Sequence, residues 1–303
     1  MKRLFLFITV FFFFAYFSFG QEIGLVLSGG GGKGAYQIGV WKAFCEYGIA
    51  QRVSVISGTS VGGLNAALFA CTASQEAETL WITEVPSKLT DDESVISQAG
   101  LSQIIDALPL ETLCTSPFDI YVTAVRARLR ILKFVDSSIL GNGAGMHAYY
   151  FNLNGGTTAE IKNRLLATSA FPVFCDSVWL EDDDGGHYYS DGGDELIGGD
   201  NVPIYPIVSK FPHITNIIVV YLSDKNHVSR RIQAKDYDHL RILEIFPSID
   251  LDGDNFFESI IDGTANFSES RIKLLIQKGY EDTCELLKRN NIFPVSSYWF
   301  EEE

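Results

Sequence analysis

The apolar run Ile23 to Leu27 closes on Ser28-Gly29-Gly30-Gly31-Gly32-Lys33-Gly34, and residues with helical spacing follow at once. A short continuous apolar run bounded by glycine is the pattern of a strand buried on both faces of a parallel sheet. From Ala35 to Tyr47 the residues Ile38, Trp41 and Cys45, with Val40 and Phe44 beside them, line one helical face, and Gly48 supplies a stop. A second run, Val53 to Ile56, leads through a tight turn into a second helix at about Val61 to Ala70. Strand, glycine turn, helix, strand, tight turn, helix packs back on itself by right-handed crossovers. The expected fold is therefore α/β, around a mostly parallel sheet.

The tight turn is Gly58-Thr59-Ser60-Val61-Gly62, which fits G-x-S-x-G in the context that gives the pattern meaning, after a strand and at the start of a helix. At such a turn the serine backbone is strained, and the positions two before and two after approach so closely that only small residues fit. The serine oxygen is pushed out above the sheet, where a helix N-terminus favours developing negative charge. Ser60 is the candidate nucleophile.

The loop from Ser28 to Gly34 lies where amides at a helix start point outward, so it is expected to bind an anion. Three readings compete for it. As a dinucleotide turn, Gly29-x-Gly31-x-x-Gly34 fits the letters, but an acidic residue should close the second strand about 20 residues on, and Ser57-Gly58-Thr59-Ser60 stands there. As a phosphate P-loop it fails twice: Gly34 follows Lys33 where Ser or Thr is needed, and Leu27 replaces the first glycine. As an oxyanion hole, the amides of Gly30 to Gly32 receive the charge on a carbonyl oxygen attacked by Ser60. That reading explains both glycine motifs with one site, because the C-terminal ends of neighbouring parallel strands share a crevice.

A nucleophilic serine needs a base. The five histidines, His147, His187, His213, His227 and His239, stand in no glycine or turn motif. Asp200 or Asp224 with His227 or His239 would give the Ser, Asp, His order of an α/β-hydrolase, in which the oxyanion loop precedes the nucleophile by several strands; here one helix and one strand separate them. The other candidate is Asp191 in Tyr188-Tyr189-Ser190-Asp191-Gly192-Gly193, where an aromatic strand delivers a carboxylate onto two glycines that admit close backbone approach. An ordinary Asp-Gly turn is the plain alternative.

Together these blocks resemble the patatin-like phospholipase family. Gly24 to Tyr36 is similar to its oxyanion block, with basic Lys33 before the last glycine, and Ser57 to Ala66 to its nucleophile block. Ala167-Thr168-Ser169-Ala170-Phe171-Pro172 is similar to its helix-end segment, and Asp191-Gly192-Gly193 to its Asp-Gly-Gly/Ala signature. The resemblance covers about Gly24 to Pro206 and implies a three-layer α/β/α sandwich with a Ser60–Asp191 dyad and no catalytic histidine. It implies an oxyanion hole at Gly29, Gly30, Gly31 and Gly32, with Lys33, Gly34, Gly58, Gly62, Gly192 and Gly193 as supporting motif. The implied activity is hydrolysis of phospholipid or other acyl-ester lipid at a membrane or micelle surface, with no metal and no cofactor. Two departures stand out: Asn201-Val202-Pro203 comes later than the family's Asn-x-Pro, after an apparent insertion from Asp194 to Asp200, and beyond about Leu222 nothing matches. A general carboxylesterase is the alternative within this chemistry; a catalytically inactive lipid- or nucleotide-binding module is the alternative outside it.

Elsewhere, strands are expected at Asp119 to Val125, Arg130 to Val135, Tyr149 to Leu153 and Ile217 to Leu222, and helices at Gln75 to Val85, Leu101 to Leu108, Thr158 to Ser169 and Glu269 to Lys288. Glu181 to Gly186 reads as a hairpin or loop within the domain. No repeat or low-complexity linker divides the chain, so residues 21–303 are expected to form a single catalytic domain with its motifs between about 23 and 222. Ahead of it, Met1, Lys2 and Arg3 precede an apolar run from Leu4 to Phe19, and small Ser18 and Gly20 flank polar Gln21-Glu22. That is the form of a secretory signal peptide over 1–20, which makes the protein exported, secreted or periplasmic. The run is shorter than the ~20 residues that span a bilayer.

A net charge of −15, spread along the chain, excludes nucleic acid as the expected partner. Five cysteines, Cys45, Cys71, Cys114, Cys175 and Cys284, show no zinc spacing and no disulfide framework. Asp250-Leu251-Asp252-Gly253-Asp254 begins like a calcium loop, but Asn255 and Ile261 replace its glycine and closing glutamate, so a solvated acidic loop is expected. Asn266-Phe267-Ser268 has the form of a glycan acceptor.

Overall fold

The computed structural model describes residues 22–90, 96–127, 147–172, 174–193, 198–226, 228, 231–232, 236–251 and 263–292. The expected signal peptide, the strand expected at Arg130 to Val135, His227, the calcium-like loop from Asp252 onward and residues 194–197 of the insertion lie outside them.

The chain opens with β1 (Ile23–Leu27), a short 3-10 turn, and α1 (Ala35–Glu46). Then come β2 (Val53–Thr59), α2 (Val61–Cys71), α3 (Ser74–Leu89) and α4 (Gln98–Asp106). β3 (Asp119–Arg126), β4 (Ala148–Asn152), α5 (Thr158–Thr168), β5 (Val178–Asp182) and β6 (Gly185–Asp191) form the middle of the chain. It ends with α6 (Tyr205–Lys210), β7 (Asn216–Val220), β8 (Arg241–Ile245) and α7 (Glu269–Arg289).

β1 is buried along its whole length because its side chains feed two cores. Leu25 and Leu27 join a large core with α1, α2, α3 and α7, while Val26 joins a smaller one with Ile207, Ile217 and Val219. Parallel pairing gives the order β3-β2-β1-β7-β8. The sandwich is unequal: α1 to α5 and α7 cover one face, and the six-residue α6 with neighbouring coil covers the other.

β3 is where the parallel sheet meets an antiparallel extension. β4 holds one edge of β3 from Tyr121 to Val125. The other edge is shared: β2 pairs with it from Asp119 to Thr123 and runs parallel, and β6 pairs from Ala124 to Arg126 and runs antiparallel. β5 completes a hairpin with β6.

The C-terminal part, which matched nothing in sequence, is fastened to the first βα unit. A β-carbon on Gly39 of α1 would stand 1.9 Å from the Ile276 carbonyl oxygen, and one on Gly279 of α7 would stand 2.0 Å from that of Tyr36, so the two helices touch backbone to backbone. The Tyr36 hydroxyl donates to Asp282 at 3.0 Å and to the Phe246 carbonyl at 3.1 Å. Among the described residues no helix is long and apolar enough to cross a membrane.

Candidate active site

β2 ends where Thr59 pairs with Thr123, and the next residue leaves the sheet. Ser60 has φ 53° and ψ −126°, a region that costs a residue other than glycine about 1–3 kcal/mol. Both glycines of the motif are needed as expected. A β-carbon on Gly58 would stand 2.4 Å from the Gly62 carbonyl, and one on Gly62 would stand 2.3 Å from the Leu27 carbonyl at the end of β1. The turn is held from outside: the Ser60 amide donates to the Thr168 hydroxyl at 2.9 Å, and that hydroxyl donates to the Thr123 carbonyl at 2.5 Å. The helix-end block before Asp191 thus bears directly on the Ser60 turn.

β6 runs toward β2 along the same edge of β3 and ends with Asp191 opposite Ala124, one residue beyond the partner of Thr59. The strands meet head to head, which brings Ser60 and Asp191 to one place. Asp191 is 3% exposed. Its amide donates to the Ala170 carbonyl at 3.0 Å, and its Oδ1 accepts the Gly193 amide at 2.7 Å. Gly192 lies so close to the Thr123 carbonyl that a β-carbon would stand 2.4 Å from it. Burial pushes the nearby Cys175 thiol up to about 11; the Phe171 backbone opposes this and the charge of Asp191 adds to it.

The glycine loop sits at the end of β1, beside the nucleophile turn. Gln37 donates to the Ser28 carbonyl at 2.8 Å, Asn65 to Gln37 at 2.9 Å and to the Gly34 carbonyl at 3.0 Å, and Trp81 to Asn65 at 3.0 Å. This buried polar chain anchors the loop to α1, α2 and α3. Gly31, at φ 55°, is pressed against the Thr264 carbonyl, where a β-carbon would stand at 2.2 Å. Lys33 is buried, with its side chain folded against Gly30. The expected hole is narrower than four amides: that of Gly29 donates to Asn201 Oδ1 at 2.9 Å. Gly29 fixes the loop, which leaves the amides of Gly30, Gly31 and Gly32 as the candidates for that role.

The insertion does not displace the Asn-x-Pro segment from the site. The Asp200 amide donates to the Gly192 carbonyl at 2.8 Å, its carbonyl accepts the Thr59 hydroxyl at 2.7 Å, and its carboxylate accepts the Tyr150 hydroxyl at 2.7 Å and the Val202 amide at 3.2 Å. Asp200 is thereby committed to structure. His187 stands beside Asp182 at 4.0 Å, and His213 binds Glu22 at 3.1 Å on the surface. His147 is exposed, and His239 is exposed beside Asp238. His213 and His239 precede β7 and β8, at the end of the parallel strands away from Ser60. Among the described residues no group of three or more His, Cys, Asp or Glu could hold a metal ion. The parts of the site that sequence reasoning missed are Thr168, Asn201, Asp200 with Tyr150, and the Gln37–Asn65–Trp81 chain. Thr168, Asn65 and Asn201 carried a mark only as members of family-like blocks, and Asp200 only as a candidate triad acid; none of these contacts was foreseen.

A serine elbow, a strand-end aspartate and a glycine loop at the C-terminal ends of adjoining strands define an α/β-sandwich protein with a G-x-S-x-G site. The chain belongs to the patatin-like phospholipase family, whose model matches residues 25–208, more than half of its length. A segment of 51 residues is 51% identical to lysophospholipase nte1 of Aspergillus terreus, spanning 17% of this chain and 3% of that protein. A segment of the same length is 49% identical to patatin-like phospholipase domain-containing protein 7 of Rattus norvegicus, spanning 17% of this chain and 4% of that protein. The chain thus spans only a small part of those relatives. Its fold is shared with VipD from Legionella pneumophila at a TM-score of 0.51 and 13% identity, over 89% of this chain and 67% of that one.

Proposed function

We propose that this chain is a lipid acyl hydrolase that cleaves carboxylic ester bonds of phospholipids, with Ser60 as nucleophile and Asp191 as its base. The observation that carries the reading is the head-to-head approach of β2 and β6, which leaves Ser60 and Asp191 at adjoining positions along β3. Family membership supports the lipid ester as substrate class.

In this reaction Asp191 takes the hydroxyl proton as Ser60 Oγ attacks the ester carbonyl carbon. The amides of Gly30 to Gly32 hold the oxyanion, donors of a kind worth on the order of 3 kcal/mol each to the transition state. The tetrahedral intermediate collapses, and the leaving alcohol takes the proton back from Asp191. Water, deprotonated by Asp191, then attacks the acyl-serine and releases the fatty acid, and the proton returns to Ser60.

Asp191→Asn keeps the shape and removes the acceptor charge, so turnover should fall by roughly three or more orders of magnitude. Each histidine changed singly to Gln should retain most activity. Ester hydrolysis is measured for these variants after circular dichroism confirms their folding, with a phospholipid panel and Ser60→Ala as reference. A folded, inactive histidine variant beside an active Asp191→Asn would sink the dyad. We also propose that the protein is exported after cleavage near Gln21; exported protein whose N-terminal sequence still began at Met1 would count against it.

A further inference from the structure

We propose that Asn201 is a positioning residue for the reaction above: its carboxamide holds the glycine loop and the acid loop in register and, being neutral, sets no second charge beside Asp191. The proposal rests on the Ser60–Asp191 reading and adds a third group to it.

Asn201 Oδ1 accepts the Gly29 amide at 2.9 Å across 172 residues of sequence. The place where a β-carbon on Gly29 would stand is 2.7 Å from that oxygen and 3.0 Å from Ser60 Cβ. The corresponding place on Gly193 is 3.0 Å from the same oxygen and 3.1 Å from Asp191 Oδ1. Asn201 Oδ1 therefore lies within about 6 Å of both Ser60 Cβ and the Asp191 carboxylate, the range over which a charge shifts a neighbour's ionisation. Its backbone is not free to drift, because Asp200 is pinned to Gly192, Thr59 and Tyr150.

Two consequences follow from the choice of asparagine. Its oxygen engages the Gly29 amide, so the loop presents its remaining amides from a fixed start. An aspartate could accept the same hydrogen bond, yet it would set a second carboxylate beside Asp191. Like charges at this range favour the protonated acid, and protonated Asp191 is not a base. A neutral acceptor is the side chain that meets both demands.

The test is the pH dependence of short-chain nitrophenyl ester hydrolysis by the full chain carrying Asn201→Ala or Asn201→Asp, with Asp191→Asn alongside. Asn201→Ala should lower kcat by roughly tenfold or more with less change in KM and no shift of the acid limb, since it removes the acceptor of Gly29. Asn201→Asp should keep the loop and move the acid limb of kcat/KM upward by about one pH unit or more, with activity recovering toward the parent's as pH rises. If Asn201→Ala does not fold, Asn201→Asp still decides the matter, because it retains an acceptor. An unshifted acid limb in Asn201→Asp, or parental kcat in Asn201→Ala, overturns the positioning role while an inactive Asp191→Asn leaves the dyad standing. An active Asp191→Asn overturns the dyad and this proposal with it.

Discussion

Ser60 is held at a positive φ by a hydrogen bond from its own amide to Thr168, and the same hydroxyl is spent on the Thr123 carbonyl. Thr168→Val keeps the shape and leaves both groups without that partner. A deprived polar group costs about 1–3 kcal/mol, so the variant should melt at lower temperature and lose about tenfold or more in kcat/KM, with Thr168→Ser restoring both. Parental kcat/KM in folded Thr168→Val would show that the turn holds without it. Lys33→Ala should weaken turnover less than Ser60→Ala, because the proposed oxyanion donors are backbone amides and Lys33 packs against Gly30. If Lys33→Ala were folded yet as inactive as Ser60→Ala, Lys33 would need a direct role. At this scale the legible residues were those governed by local rules. Gly58, Ser60 and Gly62 obey the sterics of one turn, and Asp191 ends a strand on two glycines. Thr168 lies 108 residues from Ser60, and Asn201 lies 172 from Gly29. Contacts between such separated residues leave no periodicity to read.

The element that delivers Asp191 is the β5–β6 hairpin, and Arg126 of β3 binds it to the sheet. The Arg126 guanidinium donates to Asp182 at 2.7 Å, to Asp184 at 2.8 Å and to the Tyr189 hydroxyl at 3.2 Å, and stacks 4.5 Å from the centre of the Tyr149 ring. Burial works against the Asp182 carboxylate, but hydrogen bonds from Tyr189, the Asp184 amide and Arg126 outweigh it and hold its pKa below the usual range. A carboxylate depressed in the folded state binds fewer protons there than when unfolded. Its stabilisation is therefore complete above the ordinary value of about 3.9 and is lost as pH falls through the lowered one. Melting temperatures from pH 7 to about 2 should fall more steeply at the acid end for the parent than for Asp182→Asn, which should start lower and converge with it. Parallel curves would mean that the network contributes no such linkage. Helices α1, α2, α3 and α5 and strands β1, β2, β3 and β7 were legible because they carry continuous apolar runs or helical spacing. β5 and β8 were not, since Trp179, Glu181, Arg241 and Glu244 interrupt them: each is an edge strand with mostly incomplete burial, so its sequence need not be apolar throughout.

At the scale of the whole molecule, described residues from the C-terminal part pack against the first βα unit. α7 lies on α1, and the carbonyls of Thr264 and Asn266 press on Gly31 and Gly32, so the segment before α7 borders the glycine loop itself. The periodicity of α7 was readable; its partner was not, since an amphipathic face announces burial without naming what covers it. Charge is the other property of the whole. The net −15 becomes two units more negative if Lys2 and Arg3 leave with residues 1–20. A protein of this charge approaching a lipid surface works against a field when the lipid is anionic and meets little when it is zwitterionic. Initial rates should be lower on anionic than on zwitterionic phospholipid vesicles of the same acyl composition at about 0.01 M salt, where the Debye length is about 30 Å. The gap should close toward 1 M, where that length is about 3 Å and distant charges no longer act. Light scattering or pelleting of Ser60→Ala with the same vesicles separates binding from turnover, since the difference should lie in the bound fraction. A higher rate on anionic vesicles at low salt, falling as salt is added, would mean that a local basic face outweighs the net charge and steers the protein to the opposite class of surface.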